Sequence, residues 1–242
     1  MKKRACRDEF DLSLNGFPPL KTRNKAQSEY LAHLRRSRMV ISHGPAGSGK
    51  TYVPAAHAIE LLATGRLQKI VLTRPTVPVE FEEIGFLPGD LNRKMEPWTA
   101  PIFDVFRERV GAEKVAGLLK SREIEIVPFA FMRGRTFKNA FVIVDEAQNM
   151  TEGQAKMLVT RIGENCTYSI NGDLTQSDLE EPLNGLLWVI SMNEVAKLQF
   201  PVVEFDESHV VRSEECKAWV KAIAEYEITN HEEGKPIGFV HH

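Results

Sequence analysis

The segment GPAGSGKT, from Gly44 to Thr51, constrains the fold of this chain more than any other feature. It follows the apolar run MVISH and precedes a helix-forming run that continues to about Ala63. The segment matches the pattern G-x-x-x-x-G-K-[ST] at every fixed position. Its glycines let backbone N–H groups turn inward around phosphate oxygens, and the N-terminus of the following helix adds partial positive charge. We therefore predict a strand, a phosphate-binding loop and a helix in succession.

The side chains in and before this loop predict which ligands it takes. Lys50 can reach the β- and γ-phosphates of a nucleotide, and the Thr51 hydroxyl can bind Mg²⁺. On the helix upstream, the Gln27 amide can pair bidentately with an adenine edge, although it can equally be an ordinary residue of a helix surface. ATP and Mg²⁺ are the expected ligands, and the predicted ATP-binding residues are Gln27, Gly44, Pro45, Ala46, Gly47, Ser48, Gly49, Lys50 and Thr51.

Two further apolar runs end in polar side chains. The run AFVIV is followed directly by Asp145 and Glu146. In P-loop NTPases a strand-end acid holds Mg²⁺, a role we assign to Asp145, while Glu146 can orient and deprotonate an attacking water. The predicted strand CTYSING is followed by the segment DLTQ, which ends in Gln176, whose amide can sense the γ-phosphate and link its loss to movement. The predicted catalytic side chains are thus Lys50, Glu146 and Gln176.

Strand-forming and helix-forming runs alternate along the chain, which predicts an α/β fold with a mostly parallel sheet and helices on both faces. The predicted strands are MVISH, KIVLTRP, EIEIVPF, AFVIVDE, CTYSING and VVEFD. The predicted helices are NKAQSEYLAHLRR with Asn24 as N-cap, Thr51 to about Ala63, APIFDVFRERV, TEGQAKMLVTRI with Thr151 as N-cap, NGLLWVISM, and SEECKAWVKAIAEYE capped by Ser213.

Length and composition set the domain organisation. The 242 residues, 43% of them hydrophobic, suit one large domain. Within this single domain we expect an N-terminal segment and helix (1–36), an insertion or subdomain after the second core strand (76–121) and a C-terminal tail (228–242). The insertion is rich in proline, glycine and charge, so we expect one helix in it and no sheet.

Charge, cysteine content and hydropathy indicate which broad classes of protein this chain does not resemble. The net charge of −2 gives no sign of a protein that coats nucleic acid. The three cysteines are scattered and odd in number, which predicts neither a disulfide framework nor a structural zinc site. No apolar run approaches the roughly 20 residues of a membrane helix. We expect a cytoplasmic protein with no membrane partner.

Eight segments follow one another along the chain: GPAGSGKT, LTRP, GFLPGDL, MRGRT, NAFVIVDEAQN, LVTRIG, GDLTQSDL and VVR. Together they resemble the PhoH-like family, the phosphate-starvation-inducible P-loop ATPases, which are similar to the ATPase core of superfamily 1 helicases. The resemblance implies a RecA-like core, ATP hydrolysis, RNA or other nucleic acid as substrate in a helicase-like role, and hexameric rings. The resemblance extends from about Gln27 to Tyr226.

The resemblance also implies residue roles. The phosphate loop, the pair Asp145 and Glu146, and the sensor Gln176 match family positions. Thr73 and Arg74 match the helicase segment that commonly meets a single nucleic-acid strand.

The chain departs from the family pattern at two places. Phe81, followed by Glu82, occupies a position where the family usually has glycine. HVVRS replaces the usual DVVRH around Arg212. The first departure bears on the role of Glu82, and the second bears on the contacts of Arg212.

Several arginines are candidate arginine fingers, each of which can instead form an ion pair with one of the 33 acids. We rank Arg212 first, because it follows the apolar pair VV just before the last predicted helix, and Arg135 second. The full set is Arg133, Arg135, Arg161 and Arg212.

Three classes of function remain to be weighed. The first is a helicase-like ATPase stimulated by single-stranded RNA or DNA, and the second is an ATP-driven switch that acts on a protein partner. The third, a small-molecule kinase, is disfavoured by Glu146, because a kinase must keep a water-activating carboxylate away from the γ-phosphate. A motor that pulls a strand usually has two RecA-like lobes, and this chain has length for one. Translocation would therefore require a homo-oligomer.

Overall fold

A six-stranded sheet organises the chain in this computed structural model, which describes residues 20–75, 91–176 and 184–211, together with 215–216, 218–219 and 222. All neighbouring strands are parallel, in the order β3-β2-β4-β5-β1-β6. The predicted α/β fold is confirmed. The strands are β1 (Met39–His43), β2 (Lys69–Thr73), β3 (Ile124–Ile126), β4 (Ala140–Val144), β5 (Thr167–Gly172) and β6 (Val202–Glu204).

Both faces of the sheet are covered by helices. Along β4, Phe141 and Ile143 point into one hydrophobic core, whereas Val142 and Val144 point into the other. Such a fully apolar strand is typical of a parallel sheet that is buried on both sides. The first core is shared with α1 (Lys25–Arg36), α2 (Tyr52–Ala63), α3 (Leu91–Val110) and α4 (Ala112–Lys120), and the second with α5 (Glu152–Val159) and α6 (Gly185–Val195).

The predicted helix N-caps are confirmed where the structure describes them. The Asn24 side chain accepts a hydrogen bond from the backbone N–H of Gln27, and Thr151 forms a reciprocal capping box with Gln154. These bonds satisfy backbone donors that the first helical turn leaves unpaired. Among the described helices, none has both the length and the apolar character needed to cross a membrane.

The insertion predicted at 76–121 is more helical than its sequence suggests. Helix α3 begins at Leu91 rather than near residue 100 and continues through Pro97 and Pro101, and α4 was not predicted at all. The prolines resemble helix breakers in a sequence, but apolar packing outweighs their cost here. Phe103 and Phe106 are buried in the first core, with their rings edge to face at 5.6 Å.

Some sequence predictions fall outside the described residues. These are the GFLPGDL segment apart from Leu91, the departure at Phe81 and Glu82, Arg212, the Ser213 cap, most of the last helix and the tail 228–242. The subdivision into an N-terminal segment, an insertion and a tail stays a prediction.

The strand order brings the polar strand ends together. β5 lies between β1, which leads into the phosphate loop, and β4, which leads into Asp145. The backbone N–H of Gly44 donates to the Gly172 carbonyl at 3.2 Å, and that of Asp145 donates to the Thr73 carbonyl at 3.0 Å. The carboxyl edge of a parallel sheet is where such folds bind ligands.

Candidate nucleotide-binding site

A cavity of about 860 Å³ opens at this carboxyl edge, a size that suits a small organic ligand. The cavity is lined by residues of the phosphate loop, of the ends of β2, β4 and β5, and of helix α3. Its walls are formed by Lys21, Arg23, Gln27, Ala46, Gly47, Gly49, Lys50, Thr51, Tyr52, Arg74, Pro101, Arg109, Asp145, Glu146, Gly172 and Val211.

The phosphate loop adopts a backbone conformation that favours glycine, most clearly at Gly44 and Gly49. Gly44 and Gly49 have φ angles of 136° and 98°, which L side chains rarely adopt. A Cβ on Gly44 would lie 2.0 Å from the Phe205 carbonyl oxygen, and one on Gly49 would lie 2.5 Å from Nε2 of Gln27. Neighbouring segments therefore hold the loop closely from both sides.

The Thr51 hydroxyl donates a hydrogen bond to Oδ1 of Asp145 at 2.9 Å. Burial, and next the charge of Glu146, raise the pKa of Asp145 to about 6, while the Thr51 hydrogen bond and the cations of Arg74 and Lys50 oppose the shift. Hydroxyl and carboxylate oxygens are the ligands that Mg²⁺ prefers, and a divalent cation would favour the ionised carboxylate. This pair therefore fits the predicted Mg²⁺ site.

Glu146 lines the same cavity on a left-handed backbone, with φ 51° and ψ 42°. This conformation is uncommon outside glycine and often occurs at functional sites. Its carboxylate oxygen Oε2 accepts a hydrogen bond from Nε2 of Gln148 at 2.6 Å. The backbone turn thus presents the carboxylate to the cavity, and a neighbouring amide fixes its direction.

The Lys50 ammonium lines the cavity and donates to the Pro45 carbonyl at 3.0 Å, so it curls over its own loop. Gln27 is 5% exposed, and its amide donates to the Ser48 carbonyl at 2.8 Å while accepting from the Arg23 backbone N–H at 2.9 Å. Gln27 therefore supports the phosphate loop. Its reading of adenine stays a prediction.

The two residues predicted to meet nucleic acid differ in their surroundings. Arg74 lines the same cavity, and within the described part of the chain its buried Nε has no hydrogen-bond partner. Thr73 is 3% exposed, and its hydroxyl points to the sulfur of Met132 at 3.5 Å. Contact of either residue with nucleic acid stays a prediction.

Gln176 is exposed in the turn after β5, where its backbone N–H donates to the Asp173 carbonyl at 3.2 Å. It does not line the described cavity. Its predicted role as a γ-phosphate sensor would therefore require the turn to approach the phosphates.

Three of the arginine-finger candidates are described, and none of them lines the cavity. Arg133 is exposed, and Arg135 forms an ion pair with Glu125 at 2.9 Å. Arg161 follows α5 in the connection to β5, which lies at the amino edge of the sheet, opposite the phosphate loop. Arg212 is not described, but the preceding residue, Val211, donates its N–H to the Gly47 carbonyl at 2.9 Å.

Several wall residues were missed by the sequence analysis. Arg109, near the end of α3, reaches the cavity and forms an ion pair with the buried Glu60 of α2. Burial raises the pKa of Glu60, and the Arg109 charge opposes this. Tyr52 also lines the cavity. No local sequence pattern marks Arg109, because its position depends on how α3 packs on α2.

Together, a phosphate loop, a hydroxyl–carboxylate pair and an adjacent glutamate at the carboxyl edge of a parallel sheet define a P-loop protein of the ATPase-like class. The chain belongs to the PhoH-like protein family, whose sequence model matches residues 19–224. This confirms the family resemblance seen in the motifs.

Named relatives in several bacteria are similar to this chain. Protein PhoH of Escherichia coli K12 is 41% identical over 220 residues, covering 90% of this chain and 60% of the relative. The PhoH-like protein of Bacillus subtilis 168 is 40% identical over 193 residues, covering 80% and 60%. That of Mycobacterium tuberculosis H37Rv is 38% identical over 202 residues, covering 83% and 57%. The chain thus spans about 60% of the length of the relatives it matches.

Proposed function

We propose that this protein hydrolyses ATP in a Mg²⁺-dependent reaction at the cavity described above. One observation carries this function: the Thr51 hydroxyl and the Asp145 carboxylate meet at 2.9 Å, with Lys50 and Glu146 on the same cavity walls. Those are the side chains that phosphoryl transfer from a nucleotide requires.

Each of these side chains has a distinct task. Thr51 and Asp145 hold Mg²⁺, and Lys50 binds the β- and γ-phosphates together with the loop N–H groups. When bound, Mg²⁺ neutralises negative charge on the phosphate oxygens. Glu146 orients the attacking water and accepts its proton. A water-activating carboxylate at this position favours hydrolysis over transfer to another acceptor.

The test is release of inorganic phosphate from ATP, measured with Mg²⁺ and with EDTA, in the wild-type protein and in Lys50→Ala. We expect turnover only with Mg²⁺, and weaker ATP binding in Lys50→Ala because a phosphate-binding cation is lost. Exposed Lys156→Ala on α5 is the matched control and should behave like the wild type. Phosphate release at the same rate in EDTA would contradict the proposed reaction.

We propose single-stranded RNA or DNA as the substrate that couples to hydrolysis. The support is the family's likeness to the superfamily 1 helicase core, together with the match of Thr73 and Arg74 to a strand-contacting segment. Phosphate contacts should make the affinity fall steeply with salt. Fluorescence anisotropy of a labelled oligonucleotide, at low and high salt and with and without ATP, tests this coupling.

The second candidate is an ATP-driven switch that acts on a protein partner. A specific observation favours it: Thr73 is buried, and Arg74 lines the cavity beside the phosphate loop. No oligonucleotide binding at low salt, in any nucleotide state, would favour this candidate.

We also propose a homo-oligomeric ring, in which an arginine of one subunit completes the site of the next. The candidates Arg133, Arg135 and Arg161 do not reach the described cavity of their own chain, which supports action on a neighbour. Arg212→Ala and Lys50→Ala, each inactive alone, should regain activity when mixed if Arg212 acts between subunits. Mass measurement gives the subunit number, and a fully active monomer would contradict the ring.

A further inference from the structure

Gln148 is a buried amide that connects two parts of the site. Because ATP hydrolysis is itself proposed above, the role of Gln148 rests on that function. We propose that Gln148 is a positioning residue, which aims the Glu146 carboxylate and links it mechanically to the turn that carries Gln176.

Both polar atoms of the Gln148 amide form hydrogen bonds. Its Nε2 donates to Oε2 of Glu146 at 2.6 Å, and its Oε1 accepts from the Asp173 backbone N–H at 3.0 Å. It is only 1% exposed, so water does not compete for these bonds. A neutral amide carries a donor NH₂ and an acceptor oxygen on the same carbon, so it can serve both partners at once. Neither carboxylate nor ammonium at this position can make both contacts.

The fold makes room for this connection at Gly172. A Cβ there would lie 2.6 Å from Oε1 of Gln148 and 3.0 Å from its backbone N. The amide thus lies directly against the end of β5. A displacement of the β5 end toward the amide must therefore move the amide, since no space separates them.

The turn after β5 behaves as one unit. The Asp173 carbonyl accepts from the Gln176 backbone N–H at 3.2 Å, and Oδ1 of Asp173 accepts from the backbone N–H and the hydroxyl of Thr175 at 3.0 and 2.7 Å. Asp173 is therefore tied to Gln176 on one side and to Gln148 on the other. Movement of Gln176 on loss of the γ-phosphate would reach Glu146 through three hydrogen bonds.

Glu146 depends on this contact for its direction. A carboxylate reaching into an open cavity has several rotamers, and only one aims at the attacking water. Because the backbone at Glu146 is already left-handed, the Gln148 bond selects among those rotamers instead of setting the turn. Loss of the bond should lower the turnover number without changing how ATP binds.

Two substitutions distinguish the hydrogen bond to Glu146 from the hydrogen bond to Asp173. Gln148→Met removes both hydrogen bonds at similar volume. Gln148→Glu keeps an acceptor for Asp173 but, as a carboxylate, loses the donor to Glu146 and adds a like charge beside it. We expect both to lower kcat by about 10- to 100-fold with KM for ATP within about twofold. The matched control is Gln154→Met, which breaks the α5 capping box outside the cavity and should leave kcat unchanged.

A double-mutant cycle tests whether Gln148 acts through Glu146. Adding Gln148→Met to Glu146→Gln should not lower the residual rate further, because the carboxylate that it positions is already gone. A second loss as large as in the wild-type background would overturn the proposal. So would parallel losses of kcat and ATP affinity, since those indicate general damage to the site.

Hydrogen exchange of the Asp173 backbone N–H, measured by NMR in the nucleotide-free protein, tests the bond to Gln148 without an activity assay. We expect slow exchange in the wild type and in Gln148→Glu, and fast exchange in Gln148→Met. Equal exchange in wild type and Gln148→Met would overturn the link. A folded wild type without ATPase activity would instead refute the proposed function, which distinguishes the two failures.

Discussion

The Thr51 hydroxyl and the Asp145 carboxylate lie 2.9 Å apart, although 94 positions separate them in the sequence. Neither residue belongs to the core, and their contact is set by strand order. β1 and β4 both lie beside β5, so the segments that follow them meet at one edge of the sheet. The contact therefore follows from the fold, and it creates the oxygen pair that suits Mg²⁺.

We predict that Thr51→Val raises the Mg²⁺ concentration needed for half-maximal ATP turnover by about tenfold or more, because the variant keeps the β-branched shape but lacks the oxygen ligand. Thr51→Ser keeps the hydroxyl and should stay close to the wild type. Magnesium titrations of phosphate release compare the three proteins. An unchanged requirement in Thr51→Val would remove Thr51 from the metal site.

We predict that Gln27→Ala weakens the binding of both ATP and GTP by several-fold, because the Ser48 carbonyl loses its hydrogen bond and the loop loses support. A fluorescent nucleotide displaced by ATP or GTP gives both affinities. A larger loss for ATP than for GTP would confirm the adenine contact predicted from the sequence. Unchanged affinities would contradict both roles.

We predict that Arg74→Ala lowers ATP turnover by about tenfold or more in the absence of nucleic acid, because this cation faces the nucleotide cavity close to Asp145. Arg74→Lys keeps the charge and should recover part of the rate. Steady-state assays without oligonucleotide give the comparison. Normal basal turnover with weakened oligonucleotide binding would instead assign Arg74 to the strand contact.

The local parts of this site could be predicted from the sequence. The phosphate loop is a contiguous motif, and the acids at 145 and 146 directly follow an apolar run whose length marks the end of a strand. In a parallel sheet all such ends lie on the same edge, so strand pattern and position predict proximity. The caps Asn24 and Thr151 were predictable for the same reason, since a cap bonds within its own first turn.

The remaining parts depend on tertiary packing. Gln148 lies in the NAFVIVDEAQN segment, but its contact with the end of β5 depends on packing that the segment does not encode. The position of Arg109 depends on the packing of α3 on α2 and has no local signature. Helix α3 itself was only partly predicted, because Pro97 and Pro101 resemble breakers until the buried Phe106 face is known.

A buried histidine should make stability depend on pH. Burial lowers the pKa of His57 from 6.5 to about 4, and Arg35 and Arg66 add to this. The unfolded chain then binds a proton that the folded chain does not bind between these pH values. The free energy of unfolding therefore falls as pH falls from 6.5 to about 4, by about 3 kcal/mol for this group.

We predict that His57→Leu loses less stability than the wild type between pH 7 and pH 4.5, by about 2 to 3 kcal/mol. Urea unfolding at both pH values measures this difference. His33→Leu, at a partly exposed histidine of α1, is the matched histidine-to-leucine substitution outside the buried core. The same pH dependence in wild type and His57→Leu would contradict the buried neutral state.

The central claim is that Glu146 activates water for ATP hydrolysis, and its most direct test is Glu146→Gln. The amide keeps the size of the side chain but cannot accept the proton, so ATP should still bind while turnover falls by about two orders of magnitude or more. The matched control is Glu152→Gln, an acid on the first turn of α5 that pairs with Lys156 and should leave turnover unchanged. ATP affinity by fluorescent competition and phosphate release should be measured on the same preparations. Retained affinity with lost turnover in Glu146→Gln alone is the predicted result, and turnover at the wild-type rate would contradict the account.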